Sequence, residues 1–209
     1  MTDWAIERFA EPAAAFHARA VPVPAERAVW VAEPTAPALV LGSTQPRSVV
    51  VDPAIEVVQR RSGGGAVLVV PGDLLWVDVI VPFGDDLWDD DVGKATHWLG
   101  DVWAAALGRT GVDARVHTGA MVRTEWSHRV CFAGVGPGEV LDAGGRKLVG
   151  VSQRRTRGSA RFQCAALGRW DPSVGPMVGV PRDAIADVAT GVGVPLDHLL
   201  AACLAALPD

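Results

Sequence analysis

Tyrosine is absent from the 209-residue chain, cysteine and methionine number three each, and no long uninterrupted apolar run occurs. The cysteines, Cys131, Cys164 and Cys203, are odd in number and widely spaced. That excludes a disulfide framework, and no pair has the spacing of a metal site, so no metal is expected on their account. A reducing, cytoplasmic setting is the expectation. The longest apolar strand-like stretch, residues 74–81, is interrupted by Asp78, so no membrane span is expected. The first nine residues carry Asp3, Glu7 and Arg8 where a secretory signal needs an unbroken apolar run. A net charge of −5 argues against a broad nucleic-acid-binding surface.

What is present suits a globular enzyme. Apolar residues make up 49% and charged residues 21%, enough for one sizeable core and a single domain over residues 1–209. The eight tryptophans read as core filling. Residues 1–27, rich in Ala and Pro, read as an irregular arm with one short helix. Short β-branched runs at 28–33 and 38–42 predict two strands joined by a turn, which 49–52 extends. Further strands are predicted at 56–60, 66–70 and 74–81, the last with Trp76, Asp78 and Ile80 on one face. Both faces of 74–81 are apolar, so it reads as central, and Asp78 then requires a partner.

Five aspartates within 85–91 precede a helical spacing of Val92, Ala95, Leu99, Val102, Trp103, Ala106 and Leu107, stopped by Gly108 and Gly111. Runs at 139–141 and 147–153 flank a glycine turn, a hairpin pattern. A strand at 161–167 and two short helices at 182–192 and 195–207 complete the chain, with Pro195 suited to a first helical turn. This order predicts an α+β fold, with mixed, largely antiparallel sheets flanked by helices, rather than a repeating βαβ unit.

Three features could carry chemistry. Arg60-Arg61-Ser62-Gly63-Gly64-Gly65 joins two strands; three glycines permit close backbone approach, and N–H groups beside arginines can hold a phosphate or a polarised carbonyl. The same glycines also suit a plain flexible bend. Lys147 follows a glycine turn at a strand mouth, where an ammonium can face an oxyanion; most lysines so placed are simply solvated. Cys131, between Val130 and Phe132, is either a buried core residue or a nucleophile assisted by a cation, with Lys147, His128 and Arg129 as candidates. Cys164 and Cys203 read as structural. His97 reads as part of the long helix, and His17, His117 and His198 have no supporting context. No dinucleotide, Walker or nucleophile-elbow pattern is present.

Together these segments resemble the biotin/lipoate protein ligase and lipoyl/octanoyl transferase superfamily over residues 28–170. Gly42-Ser43-Thr44-Gln45 is similar to its Gly-x-x-Gln, residues 60–67 to its glycine loop, and Gly145-Arg146-Lys147-Leu148-Val149-Gly150-Val151-Ser152-Gln153-Arg154-Arg155 to its lysine segment. The resemblance implies an acyl pocket with Lys147 at the reacting carbonyl. It implies Arg61, Gly63, Gly64, Gly65, Gly150 and Gln153 as substrate-binding residues. The His-Asp pair of lipoate ligases is replaced by Val69 and Val70, and residues 117–126 lack the ligases' Arg-Asn-Asp. Residues 171–209 form a helical tail, with no counterpart expected for the ligases' accessory domain.

Cys131-Phe132, with Lys147 sixteen residues on, is similar to the cysteine-dependent octanoyltransferases. The implied reaction moves a lipoyl or octanoyl group, through a Cys131 thioester, to a lysine of a lipoyl carrier domain. That carrier would be a glycine-cleavage H protein or a 2-oxoacid dehydrogenase E2, with an acyl carrier protein as a donor and no cofactor. The alternatives are an ATP- and Mg²⁺-dependent ligase, or a non-catalytic acyl-binding or partner subunit. Five arginines between Arg146 and Arg161 predict a basic carrier surface centred on Arg154, Arg155 and Arg157.

Overall fold

The computed structural model describes residues 4–51 and 55–209. Its centre is a strand that is apolar on both faces. β6 (Leu74–Pro82) lies inside a seven-stranded sheet, its first eight residues all buried. Leu75, Val77, Val79 and Val81 face one layer of the core, and Leu74, Trp76 and Ile80 face the other. The predicted orientation of Trp76, Asp78 and Ile80 holds.

Beside β6 run β2 (Ala28–Pro34) and β10 (Ser159–Leu167), both antiparallel to it. The sheet continues antiparallel from β10 through β9 (Lys147–Arg155), β8 (Val140–Leu141) and β7 (Arg115–Val116). The opposite edge is β1 (Ala5–Glu11), parallel to β2. This strand replaces the irregular arm expected for residues 1–27. Its first four residues are exposed and it carries Glu7, Arg8 and Glu11, so an edge position with charged side chains hid the strand pattern. The short helix expected there is α1 (Ala13–Ala18).

A second sheet holds β4 (Glu56–Gln59), β3 (Ala38–Leu41) and β5 (Val67–Val69), with β3 parallel to β4 and antiparallel to β5. β2 and β3 therefore belong to different sheets, contrary to the expected turn-linked pair; Pro34 and Pro37 let the chain cross between layers. The strand expected at 49–52 begins instead as a 3-10 turn, Arg47–Val49, and Asp52 lies outside the described residues.

The long helix, α2 (His97–Arg109), starts later than its apolar spacing suggests, after a 3-10 turn at Lys94–Thr96. It runs through Gly108 and is stopped by Gly111, whose φ of +85° only glycine adopts readily. Leu99, Val102, Trp103, Ala106 and Leu107 pack with α4 (Leu196–Leu204) onto the outer face of the large sheet. The first predicted tail helix is absent: α3 (Val174–Met177) and a 3-10 turn at Arg182–Ile185 come instead. Beyond them the chain pairs with β9, Lys147 N donating to Val188 O at 3.1 Å and Thr190 N to Lys147 O at 3.1 Å. The glycine hairpin is as expected, with Asp142 accepting from Gly145 N at 3.1 Å.

Candidate active site

Between the two sheets lies a narrow pocket of about 450 Å³, solvent mouth included. Val40 on β3, Val67 and Val69 on β5, and Leu74 and Trp76 on β6 form its apolar side. Gly150, Val151 and Ser152 on β9, Gln163, Cys164 and Ala165 on β10, with His17, Arg60, Cys131 and Phe132, complete it.

The glycine loop is tied to the cysteine segment by main chain. Ala66 N donates to Arg129 O at 2.8 Å and Cys131 N donates to Ala66 O at 3.0 Å, a parallel bridge. Gln45, last residue of the Gly-x-x-Gln motif, accepts from Gly42 N at 2.9 Å and donates to the carbonyls of His128 and Arg129 at 3.1 and 3.0 Å. It clamps the end of β3 to the same segment. The glycines answer to crowding. A Cβ on Gly42 would lie 1.8 Å from Gly64 O, and one on Gly65 would lie 2.6 Å from Cys131 N. Gly64 has φ +104° and lies against Cys131 Sγ.

Cys131 is half-buried, with Arg60 Nη2 3.7 Å from its Sγ. Arg60 also donates to Gly63 O at 2.6 Å, so the loop itself holds the guanidinium at the sulfur. The other two thiols are buried, which pushes Cys164 well above the ordinary thiol range and Cys203 up to about 12.

Lys147 departs from expectation. It is 1% exposed, and its Nζ sits 2.6 Å from Glu139 Oε2 while donating to Cys131 O at 3.0 Å. Rather than standing open at a strand mouth, the ammonium is enclosed beneath the cysteine turn. Glu139 also accepts from Gly136 N at 2.6 Å and Val151 N at 3.2 Å, which satisfies the buried carboxylate.

A polar network forms the pocket's other wall. Asp78 is fully buried; burial raises its carboxyl, and Arg161, Trp76 and Gln163 oppose the rise. Arg161 Nε donates to Asp78 Oδ2 at 2.5 Å, and its other nitrogens donate to Arg19 O and Phe16 O at 2.7 and 3.0 Å, which docks α1. Gln163 Nε2 lies 3.2 Å from Asp78 Oδ2 and 3.3 Å from His17 Nδ1. Ser62 Oγ donates to Gln163 Oε1 at 2.7 Å. Burial, with Arg60 and Arg161 nearby, holds the His17 imidazole down to about 3.

Of the residues singled out in the sequence, Cys131 and Gly150 line the pocket, Gly64 and Gly65 support it, and Gly63 stands free with nothing near its Cβ position. Arg61 is exposed and lines a neighbouring groove; Arg60 takes the place at the pocket. Gln153 pairs with Phe162 in register, so strand alternation turns it to the α2 side, where it donates to Val92 O at 2.5 Å. The cation at the Cys131 sulfur is Arg60; of the expected candidates, Lys147 reaches the Cys131 carbonyl instead and Arg129 reaches Val178 O. His17, Arg60, Glu139, Ser62 and Gln163 were missed. Arg60 and Ser62 lay inside the glycine-loop motif without being singled out, and Glu139 left a trace as a carboxylate opening an apolar strand.

The site thus combines two packed sheets, a glycine loop against a cysteine turn and a buried lysine. The sequence matches the lipoyl protein ligase A/B catalytic domain family over residues 14–180, and the chain belongs to that family. A comparison with curated proteins finds no match. Among solved structures, a bi-partite lipoate protein ligase of Thermoplasma acidophilum is similar at 18% identity and TM-score 0.75, over 99% of this chain and 82% of that one. A lipoate-protein ligase A bound with ATP gives 18% and 0.74, over 98% and 84%. LipL1 of P. falciparum, in complex with lipoate, gives 8% and 0.61, over 96% and 57%. At these identities the likeness is one of fold.

Proposed function

We propose that this protein transfers an octanoyl or lipoyl group to a lysine of a lipoyl carrier domain through a thioester on Cys131. The observation that carries this reading is the half-buried Cys131 sulfur at the wall of an apolar pocket, with a guanidinium 3.7 Å away. A cation there complements negative charge on the attacking sulfur. The Cys131 thiolate adds to the carbonyl of a carrier-bound thioester, such as an acylated acyl carrier protein, and the carrier's thiolate leaves. The acceptor lysine amine then adds to the Cys131 thioester, the amide forms, and the Cys131 sulfur departs with the amine's proton passing to solvent or sulfur. Lys147 takes part by holding the Cys131 carbonyl, and so the cysteine turn, in place, rather than by the direct oxyanion contact expected from its motif. Gly64, beside the sulfur, brings backbone N–H groups to the developing oxyanion. No cofactor is needed for this route. The acceptor would be a glycine-cleavage H protein or a 2-oxoacid dehydrogenase E2, and the compartment a reducing cytoplasm.

A second reading, an ATP- and Mg²⁺-dependent ligase, is favoured by one observation. The groove that adjoins the pocket is lined by Arg61, Arg154 and Arg157, which suits a phosphate chain. Intact-mass measurement after incubation with octanoyl carrier protein separates the readings. The parent is expected to gain one octanoyl group, Cys131→Ser none, and Cys164→Ser and Cys203→Ser to behave as the parent. Carrier labelling by Cys131→Ser that requires ATP and Mg²⁺ would establish the ligase. No acyl uptake by the parent from either donor would leave a non-catalytic acyl-binding or partner subunit.

A further inference from the structure

We infer that His17 binds the carbonyl oxygen of the acyl group in this pocket through its Nε2–H. The inference rests on the acyl reading above and adds to it a residue from α1, outside every motif of the chain. His17 is 8% exposed and lines both the pocket and the arginine groove. Its Nε2 is the one buried side-chain nitrogen or oxygen of the pocket lining with no hydrogen-bond partner among the described residues.

The tautomer follows from the network. Ser62 Oγ donates to Gln163 Oε1, and the Gln163 amide nitrogen faces the Asp78 carboxylate. The opposite amide orientation would set two oxygens against each other at Asp78. Gln163 Nε2 is therefore a donor to His17 Nδ1, and the ring's single proton sits on Nε2. The depressed imidazole keeps that tautomer neutral across physiological pH. A neutral N–H cannot act as a base; it can only donate.

Position decides what it donates to. The pocket offers an alkyl chain the valines, Leu74 and Trp76, and Cys131 is part of its wall. Arg60 lies at the Cys131 sulfur and, with Arg161, acts electrostatically on His17. An acyl group bound with its carbon at the sulfur brings its carbonyl oxygen to this polar corner, and a buried donor left unpaired is unfavourable.

The test uses the full chain and octanamide, whose carbonyl is an uncharged acceptor. In the parent, saturating octanamide should shift the His17 Nε2 resonance in long-range ¹H–¹⁵N spectra. His17→Phe should bind octanamide about tenfold more weakly, as for loss of one hydrogen bond. His17→Gln, which keeps an N–H donor, should recover part of the difference. If the parent binds octanamide with the Nε2 resonance unmoved, or His17→Phe binds as tightly as the parent, the assignment to His17 is wrong while the acyl reading stands. If the parent binds neither octanamide nor octanoate, the acyl reading fails and this assignment with it. Should His17→Phe not fold, the spectrum of the parent decides alone.

Discussion

Lys147 and Glu139 are 1% and 5% exposed along their side chains, with Nζ and Oε2 2.6 Å apart. Both are withdrawn from water, and each satisfies its remaining valences on backbone: the lysine on Cys131 O, the carboxylate on two N–H groups. Removing one partner of such a pair strands a buried charge, at a penalty of about 3–5 kcal/mol. Lys147→Ala is thus expected to lower unfolding free energy by about that amount as well as abolish transfer. The double variant Lys147→Met, Glu139→Gln should regain most of the stability in denaturant titrations and none of the activity. Equal stability of Lys147→Ala and parent would show that the pair is solvated. The motif singled out the lysine. Its burial was not legible, because the partner lies eight residues upstream across a strand pair. His17 carried no local signal at all, since its role arises from Gln163, 146 residues away.

The glycine loop divides into positions the fold needs and one it does not. A methyl group at Gly63 would meet nothing within 4 Å, whereas one at Gly65 would collide with Val130 and Cys131 main chain and one at Gly42 with Gly64 O. Gly63→Ala should therefore leave both melting temperature and acyl transfer near parental values. Gly65→Ala and Gly42→Ala should each lose about 1–3 kcal/mol, the usual penalty of overpacking, with loss of transfer because Cys131 must shift. A Gly65→Ala variant as active as the parent would separate the loop from the chemistry. At this scale the central strands and the hairpin before Lys147 were readable, because apolar runs and glycine turns are local properties. β1 was not: an exposed edge strand pairs through its backbone, and its side chains need show no pattern. Neither was the split of β2 and β3 between two sheets, which no local pattern distinguishes from a hairpin.

Across the whole molecule the charge is uneven. The chain carries a net −5, yet the groove beside the pocket, about 1780 Å³ with its solvent mouth, is lined by five arginines and no carboxylate. Arg19 is paired with Glu11 and Arg161 with Asp78, while Arg61, Arg154 and Arg157 have no ion pair among the described residues. Strand alternation separates the arginines expected to form the carrier surface. Arg154 faces the groove, but Arg155 turns away, donating to Asp89 O at 2.5 Å and lying over Trp88. For an acidic carrier domain, Arg154→Glu with Arg157→Glu should raise KM about tenfold at low ionic strength, leave kcat near parental and flatten the salt dependence. Arg155→Glu should do less. Unchanged KM in the double variant would remove the carrier from this face.

The pairing of Val188 and Thr190 with Lys147, set beside the bridge of Ala66 to Val130, gives the site a particular history in each molecule. Its parts come from α1, the glycine loop, the cysteine turn, β9 and β10, and apart from the β9–β10 hairpin these joins are contacts between separate stretches of chain. Loop-closure entropy must be met before such contacts give any return, so they form slowly and together. The expectation is that the pocket forms late in folding, after the central strands.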